Sequence, residues 1–138
     1  MWFGRSYVKI MYMETKNQSN NGVLIVNPPG ELQIGLQALL TSHLDLDVLV
    51  VSEIESAIKI IETFNPSLII LDQNISKKDP VSVVSRIKSA WPEILCLVLA
   101  NDDLSYQLLS QTDADLIIVK GLLGESLVKQ IKLLLGET

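Results

Sequence analysis

Short apolar runs rich in Val, Ile and Leu alternate along this chain with longer stretches in which apolar positions recur every three or four residues. The first kind reads as buried strands and the second as amphipathic helices. Val23-Leu24-Ile25-Val26 is the first strand, stopped by Asn27-Pro28-Pro29-Gly30, because Pro and Gly punctuate a strand and place a turn. Glu31 to Ser42 carries Leu32, Leu36, Leu39 and Leu40 at helical spacing, and Asp47 to Val51 is a second strand. Ser52 followed by Glu55 has the capping-box spacing and opens a helix with Ile54, Ala57, Ile58 and Ile61 on one face, ended by Asn65-Pro66.

Ser67 to Leu71 is the third strand, apolar over Leu68-Ile69-Ile70-Leu71 and ending at Asp72. A run with no polar alternation suits a parallel strand covered on both faces. A polar loop follows. Val81 to Trp91 is then expected as a helix burying Val84, Ile87 and Trp91, with Pro92 as its stop, and Ile94 to Ala100 as a fourth buried strand. Asp102 to Gln111 reads as a shorter helix with Leu104 and Leu108 inward. Asp115 to Val119 is the fifth strand, ending at Lys120, and Gly121 to Gly136 closes the chain as a helix facing inward through Leu123, Leu127, Ile131 and Leu134. Strands alternating with helices of this length imply right-handed crossovers. The expected fold is α/β: a five-stranded parallel sheet, doubly wound and flavodoxin-like, with helices on both faces. Residues 1–22 read as a flexible leader and 23–137 as the domain.

Composition narrows the chemistry. At 138 residues and 48% hydrophobic the chain suits one folded domain, and 5% aromatics make its core aliphatic. One Cys and one His exclude a disulfide framework and a zinc site. A net charge of −5, with no basic cluster beyond Lys77-Lys78, argues against nucleic acid as a partner. The longest uncharged apolar run, Ile94 to Ala100, is far below the roughly 20 residues of a spanning helix. The first residues lack the apolar stretch of a signal peptide. The expectation is a cytoplasmic domain without a membrane partner. No Gly-rich phosphate loop, nucleophile elbow or cofactor fingerprint is present, so it is not expected to be an enzyme.

Open parallel sheets bind ligands beyond the carboxyl ends of their strands. Those ends carry Asn27-Pro28, Ser52-Glu53, Asp72-Gln73-Asn74, Asn101-Asp102 and Lys120-Gly121. Asp72 and Lys120 can meet there, either as a surface ion pair of small worth or as the nucleophile and charge neutraliser of a phosphoryl site. His43, after the first helix, reads as a surface residue away from this rim. Cys96, in an apolar strand, reads as inert core.

The segments VLIVNPPGELQIGLQALL, PSLIILDQN, AWPEILCLVLANDD and ADLIIVKG together resemble a response-regulator receiver domain from Val23 to Glu137. The likeness is greatest to receivers that precede helix-turn-helix transcription outputs. The resemblance places Asp72 on the phosphoacceptor and Lys120 on the phosphate-pairing lysine. Asn74 falls where the family offers a backbone carbonyl to Mg²⁺. Departures are as informative. The acidic pair that holds Mg²⁺ in the family is replaced by Asn27-Pro28, and a hard cation wants charged oxygen ligands. Glu31 and Asp102 are the acidic neighbours that remain as substitutes. The switch hydroxyl at the end of the fourth strand is missing at Val98, Leu99 and Ala100, and the switch aromatic of the fifth strand is replaced by Ile117.

These departures point to a pseudo-receiver in phosphorelay signalling, acting by protein–protein contact with weak or no Mg²⁺-dependent phosphorylation and no cofactor. The alternative is a working receiver, with Mg²⁺, taking phosphate on Asp72 from a histidine kinase. Expected partners are a histidine kinase, an output protein or a second copy of the chain. Tyr106, Leu122 and Leu123 are the interface candidates, on the surface the family ordinarily uses. Receivers of this type ordinarily precede an output domain and this chain stops just past its last helix, so its message is expected to pass through a surface.

Overall fold

The computed structural model describes residues 22–76, 79–122 and 124–136. Strands β1 (Gly22–Val26), β2 (Asp47–Val51), β3 (Leu68–Asp72), β4 (Leu95–Ala100) and β5 (Leu116–Val119) form one sheet in the order β2-β1-β3-β4-β5. Every neighbouring pair is parallel. The connecting helices are α1 (Glu31–His43), α2 (Ile54–Phe64), α3 (Pro80–Ala90), α4 (Asp103–Leu109) and α5 (Glu125–Leu134). This is the doubly wound α/β sheet that the alternating pattern predicts.

Alternation along the strands divides the core into two layers. Leu24, Val26, Ile69, Leu71, Cys96 and Val98 face α2, α3 and α4, which contribute Ala57, Ile61, Val84, Ile87 and Leu109. Val23, Ile25, Ile70, Leu97 and Leu99 face α1 and α5, which contribute Leu36, Leu40, Leu127 and Ile131. The central strands β1 and β3 are buried at every position, whereas the outer strands β2 and β5 are only half covered. Each fully buried Leu or Ile contributes about 1.5–3 kcal/mol by leaving water. At the foot of β1, a Cβ on Gly22 would lie 2.8 Å from the Phe64 ring, so the glycine lets the end of α2 pack against the strand. Asn65, in the left-handed region at φ 48°, closes α2 and donates its N–H to Ile61 O at 2.9 Å.

Three local expectations are corrected. Ser52 does not cap α2: Glu53 occupies that position with no side-chain cap bond, and Ser52 Oγ instead accepts from Gln33 Nε2 at 3.1 Å. The hydroxyl is therefore spent between β2 and α1. Leu104 and Leu108 do not point inward. They are 79% and 58% exposed, and Leu109 is the fully buried residue. The reason is packing: Leu109 joins the layer that covers the sheet, while Asp102 caps the helix start by accepting from Ser105 N at 2.8 Å. The final helix does not begin at Gly121. Lys120–Leu122 form a 3₁₀ turn, and α5 starts after Gly124, whose φ of 124° favours glycine. Residues 1–21, the Lys77-Lys78 pair and Leu123 lie outside the described residues, while Gly22, placed at the end of the leader from the sequence, is the first residue of β1.

Candidate functional site

The strand order reverses direction between β1 and β3, and the crevice beyond their carboxyl ends is where such sheets place ligands. Asn27 follows β1 and Asp72 ends β3, and both are almost completely buried, at 1% and 2% exposure. The Asp72 carboxylate accepts from three groups. Asn27 Nδ2 donates to Oδ2 at 2.7 Å, while the Asn74 N–H and Lys120 Nζ donate to Oδ1 at 2.7 and 2.8 Å. The amide orientation follows from this geometry, since turning Asn27 over would set two acceptors against each other at that distance. Asn27 Oδ1 is buried without a partner among the described residues.

Neighbouring loops reinforce the arrangement. The Asn27 N–H donates to Val51 O at 3.1 Å, and Gln33 Nε2 donates to Asn27 O at 2.8 Å, so β2 and α1 hold the residue from both sides. Asn101, directly after β4, donates its N–H to Gln73 Oε1 at 2.7 Å and its Nδ2 to Asn74 Oδ1 at 2.9 Å. Its Oδ1 accepts from Lys120 Nζ at 2.6 Å. The structure thus brings together Asn27, Asp72, Asn74 and Lys120. It adds Gln33, Gln73 and Asn101, which were not singled out as site residues from the sequence. Asn101 had one legible signal: a polar residue directly after a buried strand at the rim. Asn74 contributes its side chain as well as its backbone.

Pro28 is half-buried beside Asn27 and carries no ligand atom. Glu31 is exposed on the first turn of α1, and the Asp102 carboxylate caps α4. The backbone N–H of Ser105 holds Asp102 below the usual carboxylate range. Neither acid joins the site. The residues present do not fit Mg²⁺, the ion implied by the resemblance. A small hard cation needs oxygens in an octahedral shell and negative charge. Here the one carboxylate has both oxygens engaged by donors, and the side chains around it are neutral amides and a lysine. Among the described residues no three His, Cys, Asp or Glu side chains gather as a metal site.

The positions Val98, Leu99 and Ala100 are fully buried in β4, with Leu99 paired to Asp72 in register. Ile117 pairs with Val98 and packs on the layer facing α2, α3 and α4. Tyr106 is 43% exposed and lines a groove of about 420 Å³ between α4, β5 and α5, with Asp103, Ser126 and Gln130 on its walls. Leu122 lies in the 3₁₀ turn that follows β5. His43 ends α1 at the opposite rim, its Nδ1 3.0 Å from Leu39 O. Cys96 is buried, and burial pushes its thiol up to about 12. No helix among the described residues is long and apolar enough to cross a membrane.

The fold has counterparts. The chain is 25% identical over 122 residues to the transcriptional regulatory protein DegU of Brevibacillus brevis, covering 86% of this chain and 52% of the relative. It therefore spans about half the length of that curated relative. The solved receiver domain of a DNA-binding response regulator (merR) from Colwellia psychrerythraea 34H superposes with a TM-score of 0.73 at 23% identity, over 85% of this chain and 99% of that one. A putative response regulator from Chloroflexus aurantiacus J-10-fl gives 0.75 at 19% identity, over 85% and 98%. At these identities the two structures speak for the fold. The model of the response regulator receiver domain matches residues 23–132, from the first residues of β1 into the last helix, and the chain belongs to that family.

Proposed function

We propose that this receiver domain signals by protein contact and does not take Mg²⁺-dependent phosphate on Asp72. The observation that carries the reading is the Asn27 amide, which donates to Asp72 Oδ2 at 2.7 Å. Phosphoryl transfer onto a carboxylate needs an oxygen free to attack and a cation to neutralise charge on the transferring group. Here the Asn27 amide occupies Oδ2, and Asn27-Pro28 supplies no charge for a metal. A cytoplasmic setting and a histidine kinase, output protein or second copy as partner belong to the same reading. The groove beside Tyr106 is its contact surface.

The second reading, a working receiver phosphorylated on Asp72, draws on the Lys120–Asp72 contact at 2.8 Å, the pairing a phosphoacceptor site requires. One titration separates the two. Beryllofluoride with Mg²⁺ is added to the ¹⁵N-labelled protein and amide shifts are followed. The proposed reading expects no saturable change around Asp72. A saturable, Mg²⁺-dependent shift that disappears in Asp72→Ala would establish the second reading instead.

A further inference from the structure

Asn101 spends three polar groups on three different partners: its N–H on Gln73, its Nδ2 on Asn74 and its Oδ1 on Lys120. Two of these contacts belong to a closed ring. Asp72 Oδ1 accepts from the Asn74 N–H, Asn74 Oδ1 accepts from Asn101 Nδ2, Asn101 Oδ1 accepts from Lys120 Nζ, and Lys120 Nζ returns to Asp72 Oδ1. The ring ties the ends of β3, β4 and β5 across sequence separations of 27, 19 and 48 residues. The hydroxyl-bearing switch expected at the end of β4 is absent, as Val98, Leu99 and Ala100 are all apolar and buried. The next residue supplies polar contact from the same place.

From this we infer that Asn101 is a built-in stand-in for the phosphoryl group. It gives Lys120 a second oxygen beside Asp72 and holds the β4–α4 loop against the turn after β3 with no phosphate present. The inference rests on the phosphate-independent reading and adds the residue that makes it workable. Its consequence reaches the contact surface through the chain. Asp102 caps α4 one residue later, and Asp103 and Tyr106, on α4, line the groove against β5. A loop pinned at Asn101 therefore fixes the start of α4 and presents the groove in a single state. Asn101 acts here as a positioning residue.

The test uses the full chain without Mg²⁺ or any phosphate donor. Backbone amide exchange at residues 101–105 and the Lys120 Nζ–H₃ signal are compared in the parent, Asn101→Ala and Asn101→Asp. Asn101→Ala is expected to speed exchange at 101–105 about fivefold to tenfold, the worth of one or two hydrogen bonds, and to broaden the Lys120 ammonium signal. Asn101→Asp keeps an oxygen for Lys120 and loses the donor to Asn74. It is expected to restore the ammonium signal but not the loop protection, a split that a merely structural side chain would not give. Should Asn101→Ala fail to fold by far-ultraviolet dichroism, Asn74→Ala opens the ring from the other side, retains the backbone N–H bond to Asp72, and carries the same expectation. Exchange within twofold of the parent in a folded ring-opening variant overturns the inference, whatever beryllofluoride does. A parent protein that rearranges the 101–105 loop with beryllofluoride and Mg²⁺ overturns the phosphate-independent reading, and the stand-in role falls with it.

Discussion

Two lysine–aspartate pairs tie strand ends together, one at each rim of the sheet. At the carboxyl rim Lys120 meets Asp72 at 2.8 Å; at the amino rim Lys88, on α3, meets Asp115 at 2.9 Å. Their remaining partners differ. Lys88 also donates to the carbonyls of Pro92 and Ile94, and Asp115 accepts the Cys96 N–H, so that pair satisfies backbone groups that nothing else here is shown to reach. The Asp72–Lys120 pair bonds mainly the side chains of Asn27 and Asn101, with one backbone N–H from Asn74. The amino-rim pair is a structural pin, because it satisfies the part-buried Ile94 carbonyl and Cys96 N–H, which any version of the fold must pair. Contacts between side chains can be exchanged without disturbing a strand, so the carboxyl rim tolerates changes that the amino rim does not. Similar distances thus conceal different roles.

Four measurements would break or sharpen this contrast. The largest effect is expected at Cys96, beside the amino-rim pin. With the thiol raised from 9.0 to about 12, thiolate is depleted about a thousandfold. Iodoacetamide labelling at mildly alkaline pH should proceed only on unfolding, and fast labelling of the native protein would show that this rim opens. Next, Lys88→Met should cost about 2–3 kcal/mol in urea denaturation, by removing the donor of the part-buried Ile94 carbonyl together with the Asp115 and Pro92 contacts. Lys120→Met should cost less, about 1–2 kcal/mol, because Asn27 and Asn74 still serve Asp72. The reverse order would undo the contrast.

Asn27→Asp comes third and turns the carboxyl rim against itself. Two carboxyls would then share the contact now made by the amide, raising one folded-state pKa above its unfolded value near 3.9. A raised carboxyl pKa means that the folded state holds its proton more tightly. Stability relative to the parent is therefore retained at low pH and lost as pH rises above that unfolded value toward the raised one. The loss should be about 1–3 kcal/mol at neutral pH, and Mg²⁺ should recover part of it in thermal melts. A variant as stable as the parent at neutral pH without Mg²⁺ would mean that the crevice already tolerates a second charge. The smallest effect is Ser52→Ala. A lost helix cap costs about 1 kcal/mol, but this hydroxyl only meets Gln33 on an exposed rim, so the change should stay within about 0.5 kcal/mol.

The sequence was most legible where periodicity carries the meaning. Leu68 to Leu71 and Ile94 to Ala100 read as strands because water is excluded from both faces, and both lie at the centre of the sheet. Asp72 and Lys120 were legible as strand-end residues for the same reason. Legibility failed where several arrangements satisfy one pattern. With leucines at 104, 108 and 109, a seven-residue helix can turn either of two faces inward, and packing against the sheet selects Leu109. Lys88 passes for a solvated helix residue, because its three acceptors lie on later segments. Asn101 passes for a loop residue for the same reason.

By itself the sequence determined the parallel aliphatic sheet, the rim on which its polar residues collect, and the loss of an acidic pair at Asn27-Pro28. The sheet and the rim are consequences of local composition and spacing, and the replaced acidic pair is what the resemblance to receivers implies. Only the tertiary structure decided that the Asn27 amide turns its N–H₂ toward Asp72, 45 residues away, and that Asn101 closes the ring with Lys120. A hydrogen bond needs its two atoms aligned within about 3 Å. That alignment exists only once the crossovers have brought distant strand ends side by side.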